Sequence, residues 1–185
     1  MIRFLLPLGA FTLLVVVLIV GLRHAPEKNI IPSPLIGKSA PQFALNNLSD
    51  GQTPVSAASL RGHWSLVNVW GTWCPECRAE HDALLQIKRE GQVPIIGIDW
   101  KDTDDEAQAW LSQLGNPYDT VGTDHDGRVA IDWGVYAAPE SFLINPDGVV
   151  VYKVIGAMTA EIWHQKCLPL IQARSVPATE AGSGS

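Results

Sequence analysis

The sequence predicts a mixed α/β domain, a sheet with helices on both faces, carried behind one apolar N-terminal helix. Three observations lead there. Short apolar, β-rich runs alternate with helical segments through most of the chain. A hairpin signal, Asn145-Pro146-Asp147-Gly148, breaks that alternation late. Near the N-terminus, Phe4 to Leu22 are nineteen residues without a charge. As a helix they span roughly 28 Å, about the thickness of a bilayer's hydrocarbon core. The following Gly21-Leu22-Arg23-His24-Ala25-Pro26 offers no small-x-small cleavage site, so residues 1–22 are expected to remain as an anchor. Arg3 on one side and Arg23 and Lys28 on the other leave the positive-inside count nearly balanced. Orientation therefore has to come from the chemistry.

Residues 23–38 carry three prolines and no helical period, and read as a tether. The domain proper is expected over residues 39–174. Gln42–Leu45 is a short strand followed by a turn at Asn47–Gly51. Ser65–Trp70 is apolar on both faces apart from Asn68, as a central strand requires. A helix from Cys74 to about Glu90 ends at Gly91, and Val93–Asp99 is a second buried strand. Thr103–Leu114 is a helix with Asp104, Asp105 and Glu106 in its first turn, where the macrodipole favours acids. A strand at Tyr118–Val121, a helix near Gly127–Trp133 and the hairpin strands Ser141–Ile144 and Val149–Ile155 follow. A last helix starts at Thr159 and bends or breaks near Pro169. Residues 175–185 are too polar and small to bury anything and are expected to be disordered.

Composition excludes several function classes. The net charge is −6 with no basic run, whereas nucleic-acid binding needs clustered cations. Three cysteines are too few for a disulfide-stapled scaffold.

The chemistry lies in Trp73-Cys74-Pro75-Glu76-Cys77, where a buried strand ends and a helix begins. Free N–H groups and the partial positive charge of a helix N-terminus stabilise a thiolate. Cys74 at that edge is placed to attack a disulfide, and Cys77, one turn inside, to resolve the mixed disulfide. Pro75 fits the first turn, where a missing N–H is no loss. A zinc site would need four ligands, and no histidine pair stands at ligand spacing beside the remaining Cys167. No metal or cofactor is expected.

The stretch Val67-Asn68-Val69-Trp70-Gly71-Thr72-Trp73-Cys74-Pro75-Glu76-Cys77 resembles the active site of the thioredoxin superfamily. Arg78-Ala79-Glu80-His81, Ile98-Asp99-Trp100-Lys101-Asp102, Leu114-Gly115-Asn116-Pro117-Tyr118 and Gly134-Val135-Tyr136-Ala137-Ala138-Pro139-Glu140-Ser141-Phe142 narrow the match. They are similar to the membrane-anchored thiol–disulfide reductases of cytochrome c maturation, the DsbE/CcmG type. The resemblance covers nearly the whole chain and implies a thioredoxin-like sheet. It makes Pro139 the cis-proline beside the cysteine pair and Ala138 the backbone partner of an extended client. Glu80 and Glu140 match acidic residues lining the site. Thioredoxin proper has a buried aspartate where Asn68 stands, so proton handling for Cys77 is expected of Glu80, one turn further along the helix. Trp73, Pro75, Glu76, Ala138, Pro139 and Glu140 form the expected client groove.

Negative charge from Glu76, Glu80 and Glu140 disfavours the Cys74 thiolate, which points to a reductant rather than an oxidase. A reductase on the oxidising side of a membrane needs electrons from outside. The resemblance supplies the rest: apocytochrome c or an assembly partner as client, and a membrane donor of the DsbD/CcdA type. It implies an inner-membrane, single-pass protein with its domain in the periplasm. A broader periplasmic disulfide reductase or isomerase, or a redox-gated module that holds an apoprotein, are the alternatives. A copper chaperone of this fold would want CxxxC. Cys167, in line with Trp163 and Ile171, reads as a buried inert thiol. The acids Asp102–Glu106 read as a helix start, and the tryptophans, Trp73 apart, as mostly core.

Overall fold

The computed structural model describes residues 2–23 and 33–175. Most of the expected tether and nearly all of the expected disordered tail lie outside these residues. The chain divides into two units, Met1–Pro32 and Ser33–Ser185. The first contains helix α1 (Ile2–Arg23). Its side chains are described only at 9 and 11–20, and among the described residues no helix is long and apolar enough to cross a membrane.

The second unit runs β1 (Ala44–Asn47), β2 (Val55–Ser56), a 3-10 turn (Ala57–Leu60), β3 (Ser65–Trp70) and α2 (Pro75–Glu90). Then come β4 (Ile95–Trp100), α3 (Asp104–Leu114), β5 (Thr120–Asp124), α4 (Arg128–Asp132), β6 (Glu140–Ile144) and β7 (Val150–Ile155). Helix α5 (Ala160–Ile162), a π turn (Trp163–Cys167) and α6 (Leu168–Ser175) close it. The strands form one sheet in the order β2-β1-β5-β4-β3-β6-β7. β3, β4 and β5 are parallel to one another, and β6 joins β3 antiparallel. This is the thioredoxin-like arrangement.

Strand β3 sits at the centre because both of its faces are apolar, and all six of its residues are buried. Leu66 and Trp70 meet a core built from α2, α3 and the C-terminal helices: Cys77, Leu84, Ile87, Ala107, Leu111, Trp163 and Cys167. Val67 and Val69 face the other core, closed by Leu60, Ala130 and Trp133. Alternation along one strand thus places Asn68 on the α2 side.

Helix ends follow their local chemistry. Thr103 caps α3, its Oγ1 accepting from Glu106 N–H, and Gly91 closes α2 at φ 64°. The last helix starts behind Thr159 as predicted but widens into the π turn before Pro169, which has no N–H to continue the ladder.

Four elements differ from expectation. The strand expected at Tyr118–Val121 is β5, which pairs with β4 from Thr120 to Asp124. The first strand lies two residues later, because pairing with both β2 and β5 selects Ala44–Asn47. β2 and the 3-10 turn are too short to show a period. Residues 33–38 belong to the folded unit rather than to a tether. Gly37 N–H donates to Val150 O at 2.8 Å and Val150 N–H to Lys38 O at 2.9 Å, covering part of the edge of β7.

Candidate active site

The site forms where β3 runs out. From Trp70 the chain turns through Gly71-Thr72-Trp73 into Cys74, the N-cap of α2, with Pro75 in its first turn. The Trp73 indole folds back so closely that a Cβ on Gly71 would meet its Nε1 at 2.5 Å. Trp73 Nε1–H donates to Trp100 O at 3.0 Å, and the ring remains half exposed.

Cys74 and Cys77 are joined in a disulfide, their Cα atoms 5.3 Å apart. Cys77 N–H donates to Cys74 Sγ at 3.1 Å, so the helix N-terminus points a donor at the outer sulfur. Ala138 O lies 3.3 Å from the same sulfur, and the Ala138–Pro139 peptide is cis. The expected groove residues Trp73, Ala138 and Pro139 are therefore gathered round Cys74. Pro75 and Glu76 are exposed on the first turn of α2.

Glu80 is buried, not solvated. Its Oε1 accepts from Asn68 Nδ2 at 2.8 Å and its Oε2 from Met158 N–H at 2.6 Å. Burial pushes its carboxyl up to about 7, while these two donors pull it back. Asn68 is itself a hub: Nδ2 also donates to Ser141 Oγ at 3.0 Å, and Oδ1 accepts from Tyr118 O–H at 2.8 Å.

Glu140 opens β6 directly after Pro139, and it too is buried. It does not stand as a free negative charge: Lys153 Nζ, buried on β7, lies 2.7 Å from its Oε2. Gly156 N–H donates to Pro139 O at 3.0 Å. The segment leaving β7 thus holds the cis-proline through Gly156 and Glu80 through Met158.

Asp102 belongs to this site, although the sequence reads it as part of a helix start. It precedes the cap of α3 and is buried. Its two oxygens accept from Thr72 N–H at 2.6 Å and Thr72 Oγ1–H at 2.9 Å, clamping the loop two residues ahead of Cys74. Asp99, on β4 behind it, is fully buried. Burial first, then the charges of Asp102 and Asp104, push its carboxyl up to about 8. In the sequence both acids stand at the end of a buried strand, within the stretch Ile98–Asp102 that supports the family resemblance, but neither is assigned a role there.

Cys167 is buried and unpaired, its thiol pushed by burial up to about 12. His81 is held between Gly115 O and the Trp110 indole, and His125 lies against Asp104. Among the described residues no group of three or more His, Cys, Asp or Glu side chains could hold a metal ion.

A redox-capable CxxC at a helix N-terminus, facing a cis-proline on a thioredoxin-like sheet, defines a thiol–disulfide oxidoreductase. A family model described as the AhpC/TSA family matches residues 36–153. The chain is 44% identical over 169 residues to the thiol:disulfide interchange protein DsbE of Allochromatium vinosum, covering 91% of this chain and 92% of that one. It is 43% identical over 168 residues to the DsbE of Pseudomonas aeruginosa, with coverage of 91% and 92%. A secreted thiol-disulfide isomerase from Corynebacterium glutamicum shares the fold at a TM-score of 0.64 and 22% identity, over 72% of this chain and 85% of that structure. The chain belongs to the AhpC/TSA family and, within it, to the DsbE thiol:disulfide interchange proteins.

Proposed function

We propose that the chain is a single-pass inner-membrane protein whose domain, in the periplasm, reduces the cysteine pair of apocytochrome c or of an assembly partner before haem attachment. A membrane donor of the DsbD/CcdA type renews its electrons. The kinship with DsbE proteins and the uncharged run Phe4–Leu22 support this reading.

The observation that carries the chemistry is the placement of Cys74 Sγ between the Cys77 N–H and the Ala138 carbonyl. In the reduced protein the Cys74 thiolate attacks one sulfur of the client disulfide. The second client sulfur leaves as a thiolate and takes up a proton. Cys77 gives its proton to Glu80, one turn along α2, and attacks Cys74 Sγ. The first client sulfur then departs and is protonated, and the Cys74–Cys77 disulfide closes. Two electrons have passed to the client, with one proton from Cys77 by way of Glu80 and one from solvent, which had taken the Cys74 proton.

Trapping tests the assignment. A chain with Cys77→Ala should accumulate a mixed disulfide with a CxxCH peptide, and one with Cys74→Ala should accumulate none. Equal trapping by both variants sinks the roles given to the two cysteines. Equilibration with glutathione should place the pair near thioredoxin's potential of about −270 mV, whereas a value near about −120 mV would make the protein an oxidant. Intact mass of the membrane-extracted chain tests the anchor, since a mature chain starting near residue 25 would mean a cleaved signal.

A further inference from the structure

The amide of Asn68 has a donor end and an acceptor end, and its neighbours dictate which way round it lies. At one end Tyr118 O–H meets Oδ1 at 2.8 Å. At the other, Nδ2 meets Glu80 Oε1 at 2.8 Å and Ser141 Oγ at 3.0 Å. Burial, then the charges of Glu80 and Asp99, hold the Tyr118 phenol well above its ordinary range, so it keeps its proton. That proton needs an acceptor, and Oδ1 is the one it meets. Turned over, the amide would set oxygen against the Glu80 carboxylate. The phenol is also held in place: its ring stacks on Trp70 with centroids 5.3 Å apart, and it lies over Gly97, where a Cβ would come within 3.1 Å of its carbons.

We propose that Tyr118 is a positioning residue for thiol–disulfide exchange: its hydroxyl keeps the Asn68 amide donating to Glu80, and so holds the Glu80 carboxylate in the orientation from which it takes a proton. The consequence for catalysis rests on the role given to Glu80 above, whereas the effect on Glu80 itself does not. The ionisable groups around this network are Glu80 and Cys77 on α2, Tyr118 before β5 and Asp99 on β4. On β6 and β7, Glu140 and Lys153 are engaged with each other, and His81 is turned to Gly115 and Trp110.

The test is Tyr118→Phe in the full chain, with the Glu80 carboxyl followed by carbon NMR of glutamate-labelled protein and assigned by its loss in Glu80→Gln. Phenylalanine keeps the stacking on Trp70. Without the hydroxyl the amide is free to turn, and a protonated Glu80 can then donate to Oδ1. The midpoint of Glu80 should rise by about one unit, tenfold in the ratio of protonated to ionised carboxyl. A merely structural tyrosine has the opposite sign: a loosened core admits water, relieves the burial and lowers the midpoint. An unchanged or lowered midpoint overturns the proposal.

Asn68→Ala provides a second arm should Tyr118→Phe fold poorly. It removes a donor to Glu80 and should also raise the midpoint, and adding Tyr118→Phe to it should shift nothing further. No rise in Asn68→Ala, or a further rise in the double variant, overturns the mechanism. The pH profile of the resolving step, by stopped flow, separates the two readings. If the Glu80 midpoint moves in Tyr118→Phe and the rate profile moves with it, both stand. If the midpoint moves and the profile does not, Tyr118 positions Glu80 but Glu80 does not take the Cys77 proton.

Discussion

Asp99→Asn should flatten the dependence of stability on pH and make the protein more stable in mildly alkaline solution. Asp99 is fully buried on β4, with Asp102, Asp104 and Asp124 around it, and its carboxyl is raised from 3.8 to about 8. Between those two values the folded chain holds a proton that the unfolded chain has lost. Stability is therefore fully present below about pH 4 and declines as pH rises toward 8, by about 1.4 kcal/mol per unit and on the order of 6 kcal/mol in all. Glu80, raised from 4.5 to about 7, acts with the same sign over its own interval. Between pH 7 and 8 the Glu80 slope dies away as its carboxyl finishes ionising while that of Asp99 is still the larger, so Asp99 dominates that interval. Asparagine matches the carboxyl in size and does not titrate. Urea unfolding at pH 5, 6, 7 and 8, read by tryptophan fluorescence, should give variant and wild type of similar stability at pH 5, with the variant ahead by several kcal/mol at pH 8. Parallel curves across the whole range would mean that Asp99 is ionised in the fold, and the reasoning from burial and repulsion would fail.

Glu80→Gln should slow the resolving step by about 10²–10⁴ if no water substitutes. It should also cost about 1–3 kcal/mol in thermal unfolding, because Asn68 Nδ2 and Met158 N–H are both donors and a glutamine can accept at only one end. An unchanged rate in stopped flow would remove Glu80 from the mechanism. Asp102→Asn leaves one oxygen where the Thr72 N–H and hydroxyl use two, and should lower stability by a similar about 1–3 kcal/mol while weakening the grip on the Cys74 loop. Exchange kinetics and unfolding identical to wild type would show that the clamp is idle. Cys167, its thiol near 12, should resist alkylation at pH 8 in the folded protein and react once urea unfolds it. Modification of the native chain at the rate of a free thiol would contradict its burial.

How much of this was legible depends on how local each signal is. Ser65–Trp70 was read to the residue because a strand buried on both faces has no polar face to blur its ends. The start of α2 was visible in Pro75, and α3 in its acidic first turn, since both are properties of a few adjacent residues. Cys74 and Cys77 needed only their spacing and a helix boundary. The partners were another matter. Asp102 reaches Thr72 because β4 lies beside β3, and Lys153 meets Glu140 because β7 pairs with β6. Met158 reaches Glu80 across 78 positions of sequence. Such contacts are set by strand order and register, and no local period encodes them. That is why the family resemblance, with Asn68 in place of the usual buried acid, points to Glu80, while its burial and its two donors come only from the fold.

The electrostatic case for a reductant also changes once the partners are known. From sequence, Glu76, Glu80 and Glu140 add up as three negative charges beside Cys74. In the fold Glu140 is matched by Lys153, and Glu80 is only partly ionised at neutral pH. Glu76 is exposed, where solvent and salt screen it. What bears directly on the Cys74 sulfur is one backbone donor, Cys77 N–H at 3.1 Å, and one carbonyl oxygen, that of Ala138 at 3.3 Å. On reduction the donor favours the thiolate. The carbonyl can accept only from the thiol, and its negative end disfavours the anion. The carbonyl thus acts against the helix terminus at this sulfur, in the direction that the proposed role as an electron donor requires. Ionisation of Glu80 around and above pH 7 adds negative charge on the same side, so under the proposed reducing role the potential of the pair should depend on the protonation of this one buried glutamate.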